Sequence, residues 1–422
     1  MNNLTDINHI WHPFTPLLGG FDHIKIKEGK GAWLVTEDDR KILDAVSSWW
    51  VNIHGHANEK IARAIYKQAQ KLEQVIFAGF THDPAIKLTE NLLSILPKNQ
   101  KRVFFSDDGS TSVEVALKLA IQYWHNQGIE KKRIIAIEGA YHGDTFGAMS
   151  TADRGAFNKP FWPLLFDVEF IELPTHENFE SVRSHFQALV AEDDVAAFIF
   201  EPLVQGAGGM RMYSPEALDN LLEIAIDHKV VCIADEVMTG FGRTGKYFSS
   251  DHLHYKPDIF CLSKGITGGF LPMGVTVASE RIEAAFKTDD FTKTFFHGHS
   301  YTANPIACAA ANASFEILTS EECQENIKRI STAHSAFASK IEAHTAIDNI
   351  RQQGTILAIE LKSDESSYMS DLRKRIYPFF LERNILLRPL GNVIYILPPY
   401  VISADELDLI YQAIEEFLAT MD

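Results

Sequence analysis

From about residue 100 onward, short apolar runs alternate with amphipathic segments: RVFF, SVEVALKLAIQYW, RIIAIE, VAAFIFEP, LDNLLEIAIDH, VVCIADE, DIFCLSK and GVTVAS. Runs of four to seven residues rich in β-branched and aromatic side chains read as strands buried on both faces, and the segments between them carry helical periodicity. Strand runs between helical patterns predict a large, mostly parallel sheet covered by helices on both sides, an α/β core.

The last third changes character. TILAIEL, ILLRP and VIYILPP read as strands, YMSDLRKRIYPFFLERN and SADELDLIYQAIEEFLATM as helices, and Ser403 with Glu406 has the spacing of a capping box. The N-terminal GAWLVTEDDRKILDA holds two strand-like runs around an acidic turn and is expected to join this smaller α+β unit rather than the large sheet. The expected division is residues 1–50 with the small domain, 51–311 as the large domain and 312–422 as the rest of the small one. No internal repeat or low-complexity linker breaks the pattern.

Composition adds exclusions. The 422 residues are 46% hydrophobic and 23% charged, ordinary globular values, and the formal net charge of −17 opposes binding to nucleic-acid phosphates while leaving room for a local basic pocket. The longest apolar runs fall far short of the ~18 residues a membrane span needs. The start MNNLTDINHIWHPF has neither a basic nor an apolar leader region, so a cytoplasmic location is expected. Cys232, Cys261, Cys308 and Cys323 are scattered without metal-site or disulfide-framework spacing, and neither kind of site is expected from them.

The chemistry lies at strand ends. VVCIADE stops at Asp235 and DIFCLSK at Lys264, 29 residues on (264 − 235), about one strand–helix–strand step. Ligands of open α/β sheets bind beyond the carboxyl ends of strands, so both side chains are expected at one crevice. A desolvated lysine there can form an imine with a carbonyl, and an aspartate can keep a pyridinium nitrogen protonated; a plain surface ion pair is the alternative. In FFSDDGSTSVEVALK, Gly109, Ser110 and Thr111 bring backbone N–H groups and hydroxyls to a helix N-terminus, suited to a phosphate or simply to capping the helix. Tyr141 and His142 follow the strand RIIAIE at the same edge, where an aromatic ring can stack on a flat cofactor or pack into the core.

With lysine, aspartate, phosphate turn and aromatic in this order, the chain resembles the class III pyridoxal-phosphate aminotransferases of fold type I over nearly its whole length. IWHPFTP, SSWWVNIHGH, AYHGDTFGAMS, EPLVQGAGGMRMY, DEVMTGFGRTGK and LLRPLGNVIYILPPY carry the resemblance. It implies pyridoxal 5'-phosphate bound to Lys264, its ring nitrogen on Asp235, Tyr141 stacked on the ring with His142 beside it, Gly109, Ser110 and Thr111 on the phosphate, and Glu201 near the cofactor hydroxyl. It implies a homodimer in which Ser300 reaches the partner's phosphate, with Gly298 and Phe14 among the residues that bind substrate. Within the family these stretches are similar to the branch that aminates 8-amino-7-oxononanoate in biotin synthesis by a ping-pong route. On that likeness Arg388 receives the substrate carboxylate, Trp49, Trp50 and Tyr395 line an apolar tunnel, Asp144 sits beside the substrate amine, and Arg243 belongs to the charge network of the site. Phe14 stands where users of S-adenosylmethionine commonly carry tyrosine, and His299 and Ser300 where they commonly read Pro-Thr. The implied donor is S-adenosylmethionine, with lysine the alternative.

Rival readings remain. Gly240, Gly242 and Gly245 spell G-x-G-x-x-G, but neither a following amphipathic helix nor the expected acidic residue supports a dinucleotide site. His54 with His56, and His297 with His299, form His-x-His pairs without a carboxylate ligand set. A non-catalytic scaffold of the same fold is a third rival, and an aminotransferase for ω-amino acids or diamines is a fourth; Arg388 with Trp49 and Trp50 argues against the last of these.

Overall fold

The computed structural model describes residues 4–18, 23–363 and 372–421. Seven strands form the large sheet in the spatial order Gln100–Ser106, Gly274–Ser279, Ile259–Leu262, Val231–Asp235, Val195–Phe200, Arg133–Ile137, Glu169–Ile171. Gly274–Ser279 runs antiparallel to both its neighbours and the other pairings are parallel.

The period-two pattern explains the layers. Ile134, Ala136, Ala197, Ile199, Val231, Ile233, Ile259 and Cys261 face the helix Gly109–Asn126 through Val113, Ala116 and Ala120. The alternate residues Ile135, Ile137, Phe198, Phe200, Cys232, Ala234, Phe260 and Leu262 join the other core with Phe186 and Leu221 of the helices Phe179–Val190 and Pro215–Asp227. With both faces covered, every residue of Val195–Phe200 is buried, so the run reads as continuously apolar.

In a second sheet, Ile26–Lys30, Trp33–Thr36 and Lys41–Asp44 pair antiparallel, and Ile385–Leu386 adds in parallel beside Lys41–Asp44. The early acidic-turn hairpin is thus in one sheet with a strand from the last third. Ile347–Gln353, Ile356–Leu361 and Val393–Ile396 form a separate antiparallel sheet. The helix Pro305–Leu318 runs unbroken through position 311. Of the helix expected to begin at Tyr368, the described part is Leu372–Glu382, and the residues before Leu372 lie outside the described ones. Ser403 and Glu406 make the reciprocal capping box at the head of Ala404–Leu418.

One expected link differs. Between Asp235 and Ile259 the chain makes no α-helix, only turns and a 3-10 segment at Ser249–His252. Three glycines of this stretch sit among turns, with Gly242 at φ 101° and Gly245 at φ 88°, and the buried carboxylate of Glu236 organises it instead. Glu236 accepts from Thr239 Oγ1 at 2.6 Å and from the amides of Ser249 and Ser250 at 3.0 and 2.7 Å.

Candidate active site

Five parallel strands end on one edge, and each delivers a side chain or turn singled out from the sequence. Val231–Asp235 ends in Asp235, Ile259–Leu262 leads to Lys264, Val195–Phe200 to Glu201, Arg133–Ile137 to Tyr141 and His142, and Gln100–Ser106 to the turn before Gly109. This is the carboxyl-end crevice of an open α/β sheet.

Lys264 is held in the left-handed region at φ 46°, an uncommon conformation for a residue with a Cβ. Its Nζ lies 5.1 Å from the centre of the Trp50 ring. Burial pulls the ammonium pKa down, while the carboxylates of Asp235 and Glu201 oppose that shift. Asp235 is buried, accepts from the amide of Val237 at 3.1 Å through Oδ1, and pairs through Oδ2 with His142 Nδ1 at 2.7 Å. Glu201 accepts from the amides of Tyr141 at 3.0 Å and Gly206 at 2.8 Å, and burial pushes its carboxyl up to about 7. Tyr141 is half-buried; burial, then the nearby Asp144 carboxylate, raises its phenol.

The phosphate end is built by a cap two residues before Ser110 and three before Thr111, the two hydroxyls that the sequence offers for capping. Asp108 is the N-cap of Gly109–Asn126: its carboxylate accepts from the Thr111 amide at 2.8 Å, and Thr111 Oγ1 accepts from the Asp108 amide at 3.0 Å. The Thr111 hydroxyl also bonds the Asp108 carbonyl, so it is committed to the cap. Ser110 Oγ accepts from the Asp144 amide at 3.1 Å, which leaves its own proton available to donate. Gly109 and Ser110 occupy the first two helical positions, whose N–H groups have no partner within a helix. The D-x-x-T spacing of Asp108 and Thr111 was the overlooked signal.

Trp49 and Trp50 part company despite being neighbours, because the backbone from Ser47 to Trp50 departs from helical angles. Trp50 is 5% exposed and donates Nε1–H to Tyr395 Oη at 3.0 Å; Trp49 is 44% exposed. The half-buried Arg388 guanidinium lies 5.2 Å from the Trp49 ring, with no carboxylate at ion-pair distance among the described residues. Phe14 packs on Trp49 at 5.5 Å. Asp144, Gly298 and Ser300 are exposed, and the carbonyl of Ser300 accepts from Gln74. His299 pairs with Asp107 at 3.3 Å.

Arg243 was expected in the charge network of the site, and after burial its charge is among those that push the Lys264 pKa down. Its guanidinium is buried, donates to the carbonyls of Pro398 at 2.9 Å and Trp50 at 3.3 Å, and faces the Tyr400 ring at 5.2 Å. It braces the main chain behind Trp50 while its charge acts on Lys264. The His-x-His pairs diverge too: His54 bonds Ser314 Oγ at 3.0 Å and is pushed down to about 3 by burial, whereas His56 bonds Asp44 at 2.9 Å. Among the described residues the one group of three potential metal ligands is Asp6, His12 and His23, where both imidazoles bond the carboxylate directly at 3.1 and 2.6 Å.

The residues fit pyridoxal phosphate on three counts. Lys264 is desolvated beside two carboxylates; Asp235 is fixed by a histidine whose Nε2 is buried with no partner; and a glycine opens the phosphate turn where a Cβ would press on Val237 at 2.7 Å.

Fold and site together define a pyridoxal-phosphate-dependent transferase of fold type I. The chain belongs to the class III aminotransferases, whose family model, "Aminotransferase class-III", matches residues 20–418. It is 49% identical over 418 residues to the adenosylmethionine-8-amino-7-oxononanoate aminotransferase of Synechococcus elongatus, covering 97% of this chain and 98% of that one. Its structure superposes on the crystal structure of the Methanocaldococcus jannaschii protein of the same name with a TM-score of 0.92 at 35% identity, covering 98% of each chain. A PLP-bound amine transaminase from an uncultivated Pseudomonas species gives a TM-score of 0.90 at 30% identity, again covering 98% of each.

Proposed function

We propose that this protein transfers an amino group from S-adenosylmethionine to 8-amino-7-oxononanoate, giving 7,8-diaminononanoate for biotin biosynthesis. The observation that carries the reading is the order of groups along one wall. Lys264 lies against Trp50, Trp50 is bonded to Tyr395, and Arg388 stands over the neighbouring Trp49 without a described carboxylate partner. A substrate with a reacting amine or ketone at one end, a carboxylate at the other and methylenes between them matches that order. Each methylene buried on such walls contributes about 0.8 kcal/mol, and a guanidinium receives a carboxylate through two parallel hydrogen bonds.

Gly109, Ser110, Tyr141, His142, Glu201, Asp235 and Lys264 would hold pyridoxal phosphate, which supplies an electron sink for the carbon that exchanges its amine. Asp235, oriented by His142, would keep the proton on the ring nitrogen. Lys264 Nζ takes a proton from one carbon and returns it to another, a role served by an amine that burial keeps from being permanently charged. Tyr141 would stack on the cofactor ring, and Trp50 with Tyr395 excludes water from the reacting end. Donor and acceptor enter in turn, with Arg388 receiving the acceptor carboxylate and Asp144 beside the substrate amine.

The working unit is a homodimer in the cytoplasm, in which Ser300 addresses the partner's phosphate, Gly298 serves the substrate, and Thr111 acts through the cap of the phosphate helix. Exposed Phe291, Phe296 and Tyr301 around this loop support an interface there. Among the described residues no helix is long and apolar enough to cross a membrane. We divide the chain into residues 51–311 and a small domain of 1–50 with 312–422, in keeping with the pairing of Lys41–Asp44 and Ile385–Leu386. Lysine is the second candidate donor, favoured by Phe14, which lacks a hydroxyl over Trp49, and by His299. Incubating the holoenzyme with 8-amino-7-oxononanoate and each donor, with mass spectrometry of the product, decides between them. Diaminononanoate is expected with S-adenosylmethionine, and its absence with both donors would overturn the assignment.

A further inference from the structure

The short helix Phe146–Thr151 follows the loop that presents Tyr141 and Asp144, and its own N-cap residue does not cap it. Thr145 makes no side-chain cap bond, and its Oγ1 is buried without a partner. The acceptor comes from another helix: Glu114 Oε1 receives the amides of Gly147 at 2.6 Å and Ala148 at 3.2 Å. One turn earlier on the same helix, Ser110 Oγ receives the amide of Asp144. Residues 110 and 114 are i and i+4, one above the other on a single helix face, so the loop is stitched to that face twice. A Cβ at Gly143 would collide with the Ser110 side chain and one at Gly147 with the Glu114 carboxylate, so both stitches depend on close approach.

We propose that Glu114 is a positioning residue. It fixes the loop carrying Tyr141 and Asp144 to the helix whose first turn faces the phosphate, so that the phosphate end and the substrate side of the site hold one mutual geometry. The proposal rests on the function given above, which assigns Gly109 and Ser110 to the phosphate and Tyr141 and Asp144 to the ring and substrate. The stitching itself is independent of that assignment.

The test uses full-length Glu114→Ala and Glu114→Gln. Loss of charge-assisted acceptance of two amides predicts about tenfold weaker pyridoxal phosphate binding by the Ala apoenzyme, measured by absorbance titration, with a raised KM for both substrates. The Gln variant keeps an oxygen acceptor and should stay within about twofold of the parent. Hydrogen exchange of the 141–150 segment, followed in the apoenzyme, should quicken in the Ala variant and not in the Gln variant. Unchanged exchange and cofactor affinity in Glu114→Ala, with only a lower Tm, would overturn the proposal, as would a Gln variant as impaired as the Ala variant. Quickened exchange in an enzyme whose parent binds no pyridoxal phosphate would uphold the stitching and refute the functional reading instead.

Discussion

Arg388→Leu separates substrate recognition from stability. The guanidinium sits 5.2 Å from the Trp49 ring and is half-buried, with no carboxylate at ion-pair distance among the described residues, so its removal strands no described buried anion. A cation over an aromatic ring in a partly exposed place contributes about 0.5–1 kcal/mol, and leucine retains much of the packing. The expected loss of stability is therefore below about 1 kcal/mol by urea titration. Recognition of the acceptor carboxylate loses hydrogen bonds to a charged group, worth about 1.5–3 kcal/mol, which is roughly a 10- to 100-fold rise in KM for 8-amino-7-oxononanoate. Rapid-mixing absorbance, starting from the aminated enzyme and varying the acceptor, reads that constant directly. A KM within twofold of the parent would refute the role given to Arg388, and a large loss of stability would refute the view that it pairs with no carboxylate among the described residues.

Lys264→Ala should fold as the parent does and lose turnover by at least about a thousandfold, checked by circular dichroism beside product formation. Gly143→Ala forces a Cβ onto Ser110 at φ 134°, and the expected cost of about 1–3 kcal/mol should appear as lower apoenzyme stability together with weaker cofactor binding. Glu236 is pushed up to about 7 by burial from an ordinary 4.5, so in that interval the folded protein holds a proton that the unfolded chain releases. Its contribution to stability is present below 4.5 and lost as pH rises through 7. Denaturant titrations of Glu236→Gln should accordingly vary less with pH across this window than those of the parent, and an unchanged slope would sink this account of the carboxyl.

Much of the site was legible because strand ends advertise themselves. An apolar run that stops at Asp235 or just short of Lys264 leaves the next polar residue at the carboxyl edge, and continuous apolar runs imply a sheet covered on both faces. Local pattern failed where a residue's partner is distant in sequence. Nothing in the letters around Arg243 shows that its guanidinium also braces the carbonyls of Trp50 and Pro398. Nothing in the letters around Thr111 settles that its hydroxyl closes a helix cap with Asp108. Trp49 and Trp50 are indistinguishable as a pair of letters, and only the irregular backbone at Ser47–Trp50 turns one to solvent and the other beneath Lys264. The missing crossover helix after Asp235 follows from Glu236, whose buried carboxylate gathers the amides of Ser249 and Ser250 and gives the turns an anchor that no helical periodicity reveals.

A single half-reaction decides whether one crevice takes an amine from S-adenosylmethionine and passes it to a long-chain keto acid. Purified holoenzyme is mixed with S-adenosylmethionine alone, and separately with lysine alone, while the visible absorbance of the bound cofactor is followed. Loss of that band is expected with S-adenosylmethionine, and its return on adding 8-amino-7-oxononanoate. A band that persists with S-adenosylmethionine and is bleached only by lysine would contradict the proposed donor, and a band bleached by neither would contradict the proposed reaction.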